Sequence, residues 1–184
     1  MHFEQLELKD LVLVTPVRHR DDRGWFSETF REDLFAVHSS DVRFVQHNHS
    51  FSSSRGTIRG LHFQLEPCAQ GKLVRCPRGR ILDVAVDLRA SSPTYGRHAA
   101  VELSAENGRQ LWVPVGFAHG FCTLEDDCEV SYMVTNYYSP EHDRGLRWND
   151  PALGIAWPVN DERASLSPKD ARQPLLSEIG RVFD

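Results

Sequence analysis

The sequence lacks the long apolar run that a membrane-spanning helix requires, and it does not begin with the pattern of a secretory signal. No apolar segment approaches the roughly 20 residues needed to span a bilayer. The opening residues, MHFEQLELKDLVLV, carry charges at Glu4, Glu7, Lys9 and Asp10, whereas a secretory signal has a basic head followed by an apolar stretch. We therefore expect a cytoplasmic protein that does not contact membranes.

Cysteine is scarce, and its spacing excludes the common short metal and redox motifs. The four cysteines are Cys68, Cys76, Cys122 and Cys128, and no two of them are separated by two residues. Without an export signal, we expect four free thiols in a reducing compartment.

An excess of positive charge is also lacking. The formal net charge is −5 and the isoelectric point is about 6.0, which argues against nucleic acid or an anionic membrane as the main partner. A small anionic ligand stays compatible with this balance, because a local basic site can exist in an acidic protein. The 184 residues contain no repeat, low-complexity run or linker, so we expect one domain over residues 1–184.

Helix signals are few, and patterns of period two dominate. Only residues 27–38 and 165–176 favour a helix, whereas RFVQHNHS, QLWVPV and EVSYMVTNYY are typical of strands. In RILDVAVDLR, Leu82 and Val84 fall on one face of a strand, and Ile81 and Asp83 fall on the other. Short strands with frequent turns predict a mainly β sandwich or barrel. Because a second copy often covers an exposed edge strand in such folds, a homodimer is plausible.

The segment GTIRGLHFQLEP contains an arginine and a histidine close together. In a regular strand Arg59 and His62 would point to opposite faces. A bulge near Gly60 would turn both side chains toward one cavity. Taken alone, His62 is more typical of a hydrogen-bonded, half-buried structural histidine.

The segment PVGFAHGF places Pro114, Gly116 and His119 at a spacing that resembles the second motif of the cupin superfamily. This resemblance implies a double-stranded β-helix, a jelly-roll barrel, with a few short peripheral helices. Metal-binding cupins usually carry a His-x-His in their first motif, but this chain has His62 followed by Phe63 and Gln64. A metal site needs about three protein ligands placed together, so we expect no metal.

Seven longer segments extend the comparison over most of the chain. They are DDRGWFSETF, FVQHNHSFSSSRGTIRGLHFQ, QGKLVRCPRGRILDVAVDLRASSPTYG, LSAENGRQLWVPVGFAHGF, YMVTNYYSP, WNDPALGIAWP and LSPKDARQPLL. From about Val14 to Leu176 they resemble, in order, the dTDP-4-dehydrorhamnose 3,5-epimerase family of deoxysugar biosynthesis.

The resemblance implies a cofactor-free reaction on a 4-keto sugar attached to thymidine diphosphate. The C4 ketone acidifies the C–H bonds at C3 and C5, so removal of a proton gives an enolate. Return of a proton to the opposite face inverts the carbon. Such an enzyme needs a base, an acid on the far face and positive charge near the enolate oxygen.

Four residues match the family's catalytic groups. The resemblance makes His62 the base, Asp170 its carboxylate partner, Tyr132 the opposing proton donor and Lys72 the cation near the C4 oxygen, where it also contacts the substrate. Each of them taken singly has an ordinary structural explanation, such as a solvated lysine or an acid at a helix start. Their joint presence in family order favours the catalytic interpretation.

Further residues match the family's substrate contacts. Arg59 and Arg23 match the diphosphate ligands, because a guanidinium fork suits two phosphate oxygens. Tyr138 matches the aromatic side chain that stacks on thymine. Relatives commonly carry a glutamate after YYSP. In this chain Asp143 is aligned with that glutamate and Glu141 lies nearby, so the sequence leaves open which of the two acids contacts the ligand. The remaining matches are Phe26 and Glu28, which in this family come from the partner subunit, and Gln46, His47, Asn48, His119 and Lys169.

Three alternatives stay open at this point. The chain could invert one centre of a related keto-deoxysugar, it could be a metal-dependent cupin such as a dioxygenase or isomerase, or it could bind a sugar nucleotide without turnover. Incorporation of deuterium at C3 and C5, chelation and the His62→Ala variant distinguish them.

Overall fold

A computed structural model describes residues 1–184 and contains two antiparallel sheets packed face to face. The first sheet is formed by β1 (His2–Gln5), β2 (Val12–Thr15), β5 (Gln46–Ser52), β7 (Lys72–Arg78), β10 (Gln110–Val113) and β12 (Cys128–Val134). The second is formed by β6 (Ile58–Gln64), β8 (Arg80–Asp87), β9 (His98–Ser104), β11 (Phe117–Thr123) and β13 (Asp143–Gly145). The six strands of the first sheet lie in the order β1-β2-β10-β7-β12-β5, and the five of the second lie in the order β13-β6-β11-β8-β9.

From β5 onward the chain crosses between the sheets at every connection except the β8–β9 hairpin. This alternation is the jelly-roll arrangement, so the predicted mainly β, cupin-like barrel is confirmed. A separate hairpin, β3 (His19–Asp21) with β4 (Gly24–Phe26), is not hydrogen-bonded to either sheet.

The main core lies between the two sheets. Val74 and Leu111 of the six-stranded sheet and Ile81, Leu103 and Phe121 of the five-stranded sheet belong to one buried cluster. Burial of each such side chain contributes roughly 1.5–3 kcal/mol relative to exposure.

The outer faces of both sheets are covered as well. Val84 and Val86 on the outward side of β8 pack with Leu146 and Leu153 of the C-terminal segment. This cover explains why both faces of RILDVAVDLR carry apolar residues. On the six-stranded sheet, Phe35 packs edge-on against Trp112, with ring centroids 5.2 Å apart.

Helix is confined to short peripheral pieces. The helix predicted over residues 27–38 forms only over Glu32–His38 (α1). The prediction of a helix over residues 165–176 is wrong. That region contains only a 3₁₀ turn at Asp170–Arg172, followed by another at Leu176–Glu178. Pro174 explains the failure, because it disfavours helical backbone at the preceding Gln173, whose ψ is 146°. No helix in the structure has the length and apolar content to cross a bilayer.

Candidate active site

An extra residue in β6 brings Arg59 and His62 to the same side of the sheet. His62 pairs with His119 and Arg59 pairs with Phe121, so a three-residue step in β6 faces a two-residue step in β11. Since His119 and Phe121 point into the barrel, their partners do so too. The predicted bulge is therefore confirmed. Gly60 is required there, because its φ is +130° and a Cβ would lie 2.6 Å from the Cα of Gly120.

His62 is held by a buried carboxylate from the C-terminal segment. Its Nε2 lies 2.5 Å from Oδ1 of Asp170, which is only 3% exposed. Burial raises the pKa of Asp170, but hydrogen bonds from His62 and from the Gly60 backbone outweigh that effect and lower it. The 3₁₀ turn that carries Asp170 docks against β6. A charged carboxylate can thus fix the orientation of the imidazole and stabilise its protonated form.

Lys72 is a buried lysine at the start of β7. Its Nζ donates a hydrogen bond to the carbonyl oxygen of His62 at 3.1 Å. Burial lowers the pKa of Lys72 to about 8, although the charges of Asp143 and Asp83 act in the opposite direction. Lys72 is therefore mainly protonated at neutral pH and only weakly solvated.

Tyr132 projects inward from β12, opposite the strand that carries His62. Burial raises its pKa, while the charge of Arg59 lowers it in part. No hydrogen bond to the phenol contributes to this shift. Tyr132 therefore keeps its proton at neutral pH, and its hydroxyl is free to interact with a ligand.

These side chains line one cavity of about 170 Å³ between the two sheets. Pockets for drug-sized ligands typically measure ~300–1,000 Å³, so only part of a nucleotide sugar would fit inside. The cavity is lined by His62, Phe63, Gln64, Gln70, Lys72, Tyr132, Tyr138, Asp143 and Lys169.

Asp143 organises the mouth of this cavity. One of its carboxylate oxygens accepts a hydrogen bond from the Tyr138 hydroxyl at 3.1 Å and another from Nζ of Lys169. The hydrogen bond to Asp143 raises the pKa of Tyr138. Glu141 does not line the cavity; its backbone carbonyl accepts a hydrogen bond from Arg144. Of the two acids that the sequence left open, Asp143 is the one at the mouth.

The polar strand β5 divides its side chains between two faces. Asn48 pairs with Tyr132 across the sheet, so Gln46 and Asn48 face the barrel interior and are joined by a hydrogen bond of 2.8 Å. The Gln46 side chain also accepts a hydrogen bond from the Tyr138 backbone at 3.1 Å. His47 lies on the opposite face, where its ring Nε2 is hydrogen-bonded to Oγ of Ser131 at 2.6 Å. The ring of His47 is therefore turned away from the cavity.

Three further predicted site residues lie apart from the cavity. Arg23 and Phe26 belong to the β3–β4 hairpin, and Glu28 follows it. None of the three lines the cavity; Arg23 pairs with Asp21, and Phe26 is 71% exposed. Within one chain these residues do not complete the site.

Sequence reasoning identified His119 but missed its partner, Asp83. Nε2 of His119 lies 2.8 Å from Oδ1 of Asp83, and both side chains are buried. The available signal was the alternation of RILDVAVDLR, which places a charged residue on the inward face beside Ile81. No group of three or more His, Cys, Asp or Glu side chains is arranged to hold a metal ion.

The family model for dTDP-4-dehydrorhamnose 3,5-epimerase matches residues 5–178. The chain belongs to this family. The dTDP-4-dehydrorhamnose 3,5-epimerase of Sinorhizobium fredii is 57% identical over 183 residues, which cover 100% of this chain and 93% of that protein. The protein is accordingly an isomerase of the epimerase type.

Solved structures of epimerase-family members have the same fold. A dTDP-6-deoxy-D-glucose-3,5-epimerase from Legionella pneumophila, in complex with dTDP-4-keto-L-rhamnose, has a TM-score of 0.92 and 41% identity and covers 97% of this chain and 94% of its own. A 3'-monoepimerase from Streptomyces bikiniensis, in complex with dTDP-quinovose, has a TM-score of 0.87 and 36% identity, with 96% and 88% covered. The fold is therefore shared by double and single epimerases.

Proposed function

We propose that the protein converts dTDP-4-dehydro-6-deoxy-D-glucose to dTDP-4-dehydro-L-rhamnose by epimerisation at C3 and C5. The observation that carries the proposal is a single cavity lined by a carboxylate-bound imidazole, a free phenol and a buried ammonium, contributed by His62, Tyr132 and Lys72. Family membership supports the identity of the substrate.

The two sheets supply the base and the acid from opposite sides. His62 belongs to the five-stranded sheet and Tyr132 to the six-stranded sheet, with the cavity between them. A sugar ring held there would meet imidazole on one face and phenol on the other. Inversion of a carbon needs this arrangement, because the proton must leave one face and return to the opposite face.

His62 begins each inversion. The ring nitrogen that is not bonded to Asp170 takes the proton from C3 or C5. The C–H electron pair forms a carbon–carbon double bond, and the electrons of the C4 carbonyl move to its oxygen, giving an enolate. Asp170 stabilises the imidazolium through its negative charge.

Lys72 and Tyr132 complete the cycle. The Lys72 ammonium stabilises the enolate oxygen in a weakly solvated site, where a charge acts more strongly than in water. Tyr132 donates its proton to the carbon from the opposite face, which restores the C4 ketone and leaves a phenolate. Solvent then reprotonates the phenolate and removes the proton from His62. The reaction needs no cofactor, because the substrate carbonyl accepts the electrons.

The nucleotide extends from the cavity over the surrounding surface. Tyr138 at the mouth offers an aromatic face for thymine. Arg59 lies on the cavity side of β6 and is near enough to Tyr132 to influence its pKa, which suits it to the diphosphate. Gln46 and Asn48 provide polar contacts, and Lys169 and His119 add further ones.

A homodimer would complete the nucleotide site. The β3–β4 hairpin exposes Trp25 and Phe26 and carries Arg23, while β5 forms an open edge of the six-stranded sheet with Phe51 exposed. Exposed apolar side chains beside an unpaired edge favour association. We expect the hairpin of one subunit to deliver Arg23, Phe26 and Glu28 to the partner's cavity. The unit is a single domain over residues 1–184, acting in the cytoplasm.

The test is incubation of the substrate with the protein in D₂O, followed by NMR. Deuterium at both C3 and C5 supports the proposed reaction. Incorporation at one carbon only would make the protein a single-centre epimerase, as in the Streptomyces bikiniensis relative. Binding of dTDP without incorporation would make it a sugar-nucleotide binder, and loss of exchange on chelation would contradict the cofactor-free mechanism.

A further inference from the structure

Asp83 is a buried charged residue to which the proposed reaction gives no direct role. It lies on the inward side of β8, and its side chain is fully buried. Oδ1 accepts the hydrogen bond from His119, but Oδ2 is buried without any partner. A carboxylate oxygen without a partner in an apolar interior is unfavourable, so packing alone does not account for this residue.

The position of Asp83 connects it to the cavity. Asp83, His119 and His62 project inward from the adjacent strands β8, β11 and β6, and His119 pairs directly with His62. The facing sheet contributes Lys72, and the negative charge of Asp83 favours its protonated form, although less than the charge of Asp143 does. Asp83 therefore lies behind the cavity, within electrostatic range of its cation.

Lys72 has few groups that can balance its charge. Its only hydrogen bond is to the backbone carbonyl of His62, which is neutral. Asp143 carries an opposite charge but already accepts hydrogen bonds from Lys169 and Tyr138. The titratable and charged groups around Lys72 are Asp143 of β13, Asp83 of β8, His62 of β6, Tyr132 of β12, and Tyr138 and Lys169 at the mouth.

We propose that Asp83 is a positioning residue, a fixed negative charge that keeps the Lys72 ammonium protonated inside the cavity. The consequence for catalysis rests on the proposed function, whereas the effect on Lys72 does not. Both acids have an ion-pair partner, Lys169 for Asp143 and His119 for Asp83, but only Asp83 keeps a buried carboxylate oxygen without a hydrogen bond. Removal of Asp83 should make Lys72 lose its proton at lower pH.

The first experiment follows lysine titration by side-chain NMR in the protein without substrate. The chain has only three lysines, Lys9, Lys72 and Lys169, so Lys72 is assigned with a Lys72→Met variant. In Asp83→Asn, the titration of Lys72 should move to lower pH by about 0.5–1 pH unit, the scale expected for loss of one nearby charge. An unchanged titration would overturn the proposal.

The matched control is Asp87→Asn on the same strand. Asp87 is also fully buried, but Arg89, Ser92 and Thr94 satisfy its oxygens. This substitution should leave the titration of Lys72 where it is. If Asp83→Asn fails to fold, Asp83→Ser removes the same charge with a smaller side chain.

The second experiment measures deuterium exchange of the substrate against pH. If the titration of Lys72 moves to lower pH as expected, Asp83→Asn should slow exchange about two- to fivefold at pH 8 but less than about twofold at pH 7. A structural role alone would reduce the rate by the same factor at both pH values. Wild-type protein without exchange would refute the proposed function and leave the lysine titration as the test of Asp83. If the wild type is active and Asp83→Asn has the same pH profile, only the proposed role of Asp83 is refuted.

Discussion

The barrel holds two histidine–aspartate pairs on adjacent strands, and they differ in their access to solvent. The side chain of His62 is 30% exposed and bonds Asp170, whereas His119 is 7% exposed and bonds Asp83, which is completely buried. A base must receive a proton from a ligand and return it to solvent, which only the first pair can do. The second pair is buried, so the charge that we assign to Asp83 stays at one place in the barrel.

The two pairs also differ in the origin of their acids. Asp83 is built into β8, two strands from His62, while Asp170 arrives on a 3₁₀ turn of the C-terminal segment. Asp170 is itself buried, but the histidine that it orients is partly exposed and lines the cavity. A carboxylate inside the barrel influences the site only through its field. The exposure of the histidine, and not residue type, separates the two roles.

The largest effect is expected from removal of the histidine in the His62–Asp170 pair. His62→Ala removes the base, so exchange at C3 and C5 should fall by at least ~10²-fold. Binding of dTDP, measured by calorimetry, should be unchanged because the ring acts on the sugar. His38→Ala, at the end of α1 and remote from the cavity, is the matched control. Exchange at the wild-type rate in His62→Ala would refute the assigned base.

Lys72→Met tests the cation that faces both pairs. Loss of the ammonium at the enolate should slow exchange by ~10²-fold, comparable to loss of an oxyanion donor. The wild-type rate should itself fall as pH rises above about 8, where Lys72 loses its proton.

The same variant should be more stable than the wild type at neutral pH. Because the pKa of Lys72 falls from 10.5 to about 8 on folding, the unfolded chain binds more protons between these pH values, and wild-type stability rises with pH there. Methionine removes the buried charge and should raise the free energy of unfolding at pH 7 by roughly 3 kcal/mol. Denaturant titrations should show this gain shrinking from pH 8 to 10.5; a pH-independent difference would contradict the burial of a charged lysine.

Asp170→Asn sharpens the comparison between the two acids. Loss of the negative charge leaves the imidazolium of His62 less stable, so exchange should fall by about 10–10²-fold at every pH. Asp83→Asn should instead act mainly at alkaline pH. Rate profiles for the two variants with the same shape would mean that the acids act alike.

The smallest effect concerns the mouth of the cavity. Asp143→Ala releases Tyr138 and Lys169 and should weaken dTDP binding about two- to tenfold, on the scale of one or two hydrogen bonds. Glu141→Ala, outside the cavity lining, should leave the Kd unchanged. A larger effect of Glu141→Ala would assign the contact to that residue instead.

The sequence was most informative where the physical rule is local. Alternation predicted β8 and β5, and the isolated Gly60 predicted the bulge that turns Arg59 and His62 to one side. Local rules failed over residues 165–176, where Pro174 and packing against β6 replaced the expected helix by short turns. They also overlooked Asp83, because no short-range pattern indicates what a buried charge faces.

The amino-acid sequence by itself determined the β class of this protein, the strand that bears the histidine and the kinds of side chain available for proton transfer. These follow from steric preferences and from periodicity within a few residues. Only the tertiary structure decided which groups meet. It joined His62 to Asp170 across 108 positions of sequence, placed Tyr132 and Lys72 on the facing sheet and sealed Asp83 beneath them. Such contacts depend on how the two sheets pack, and local sequence patterns carry no information about that packing.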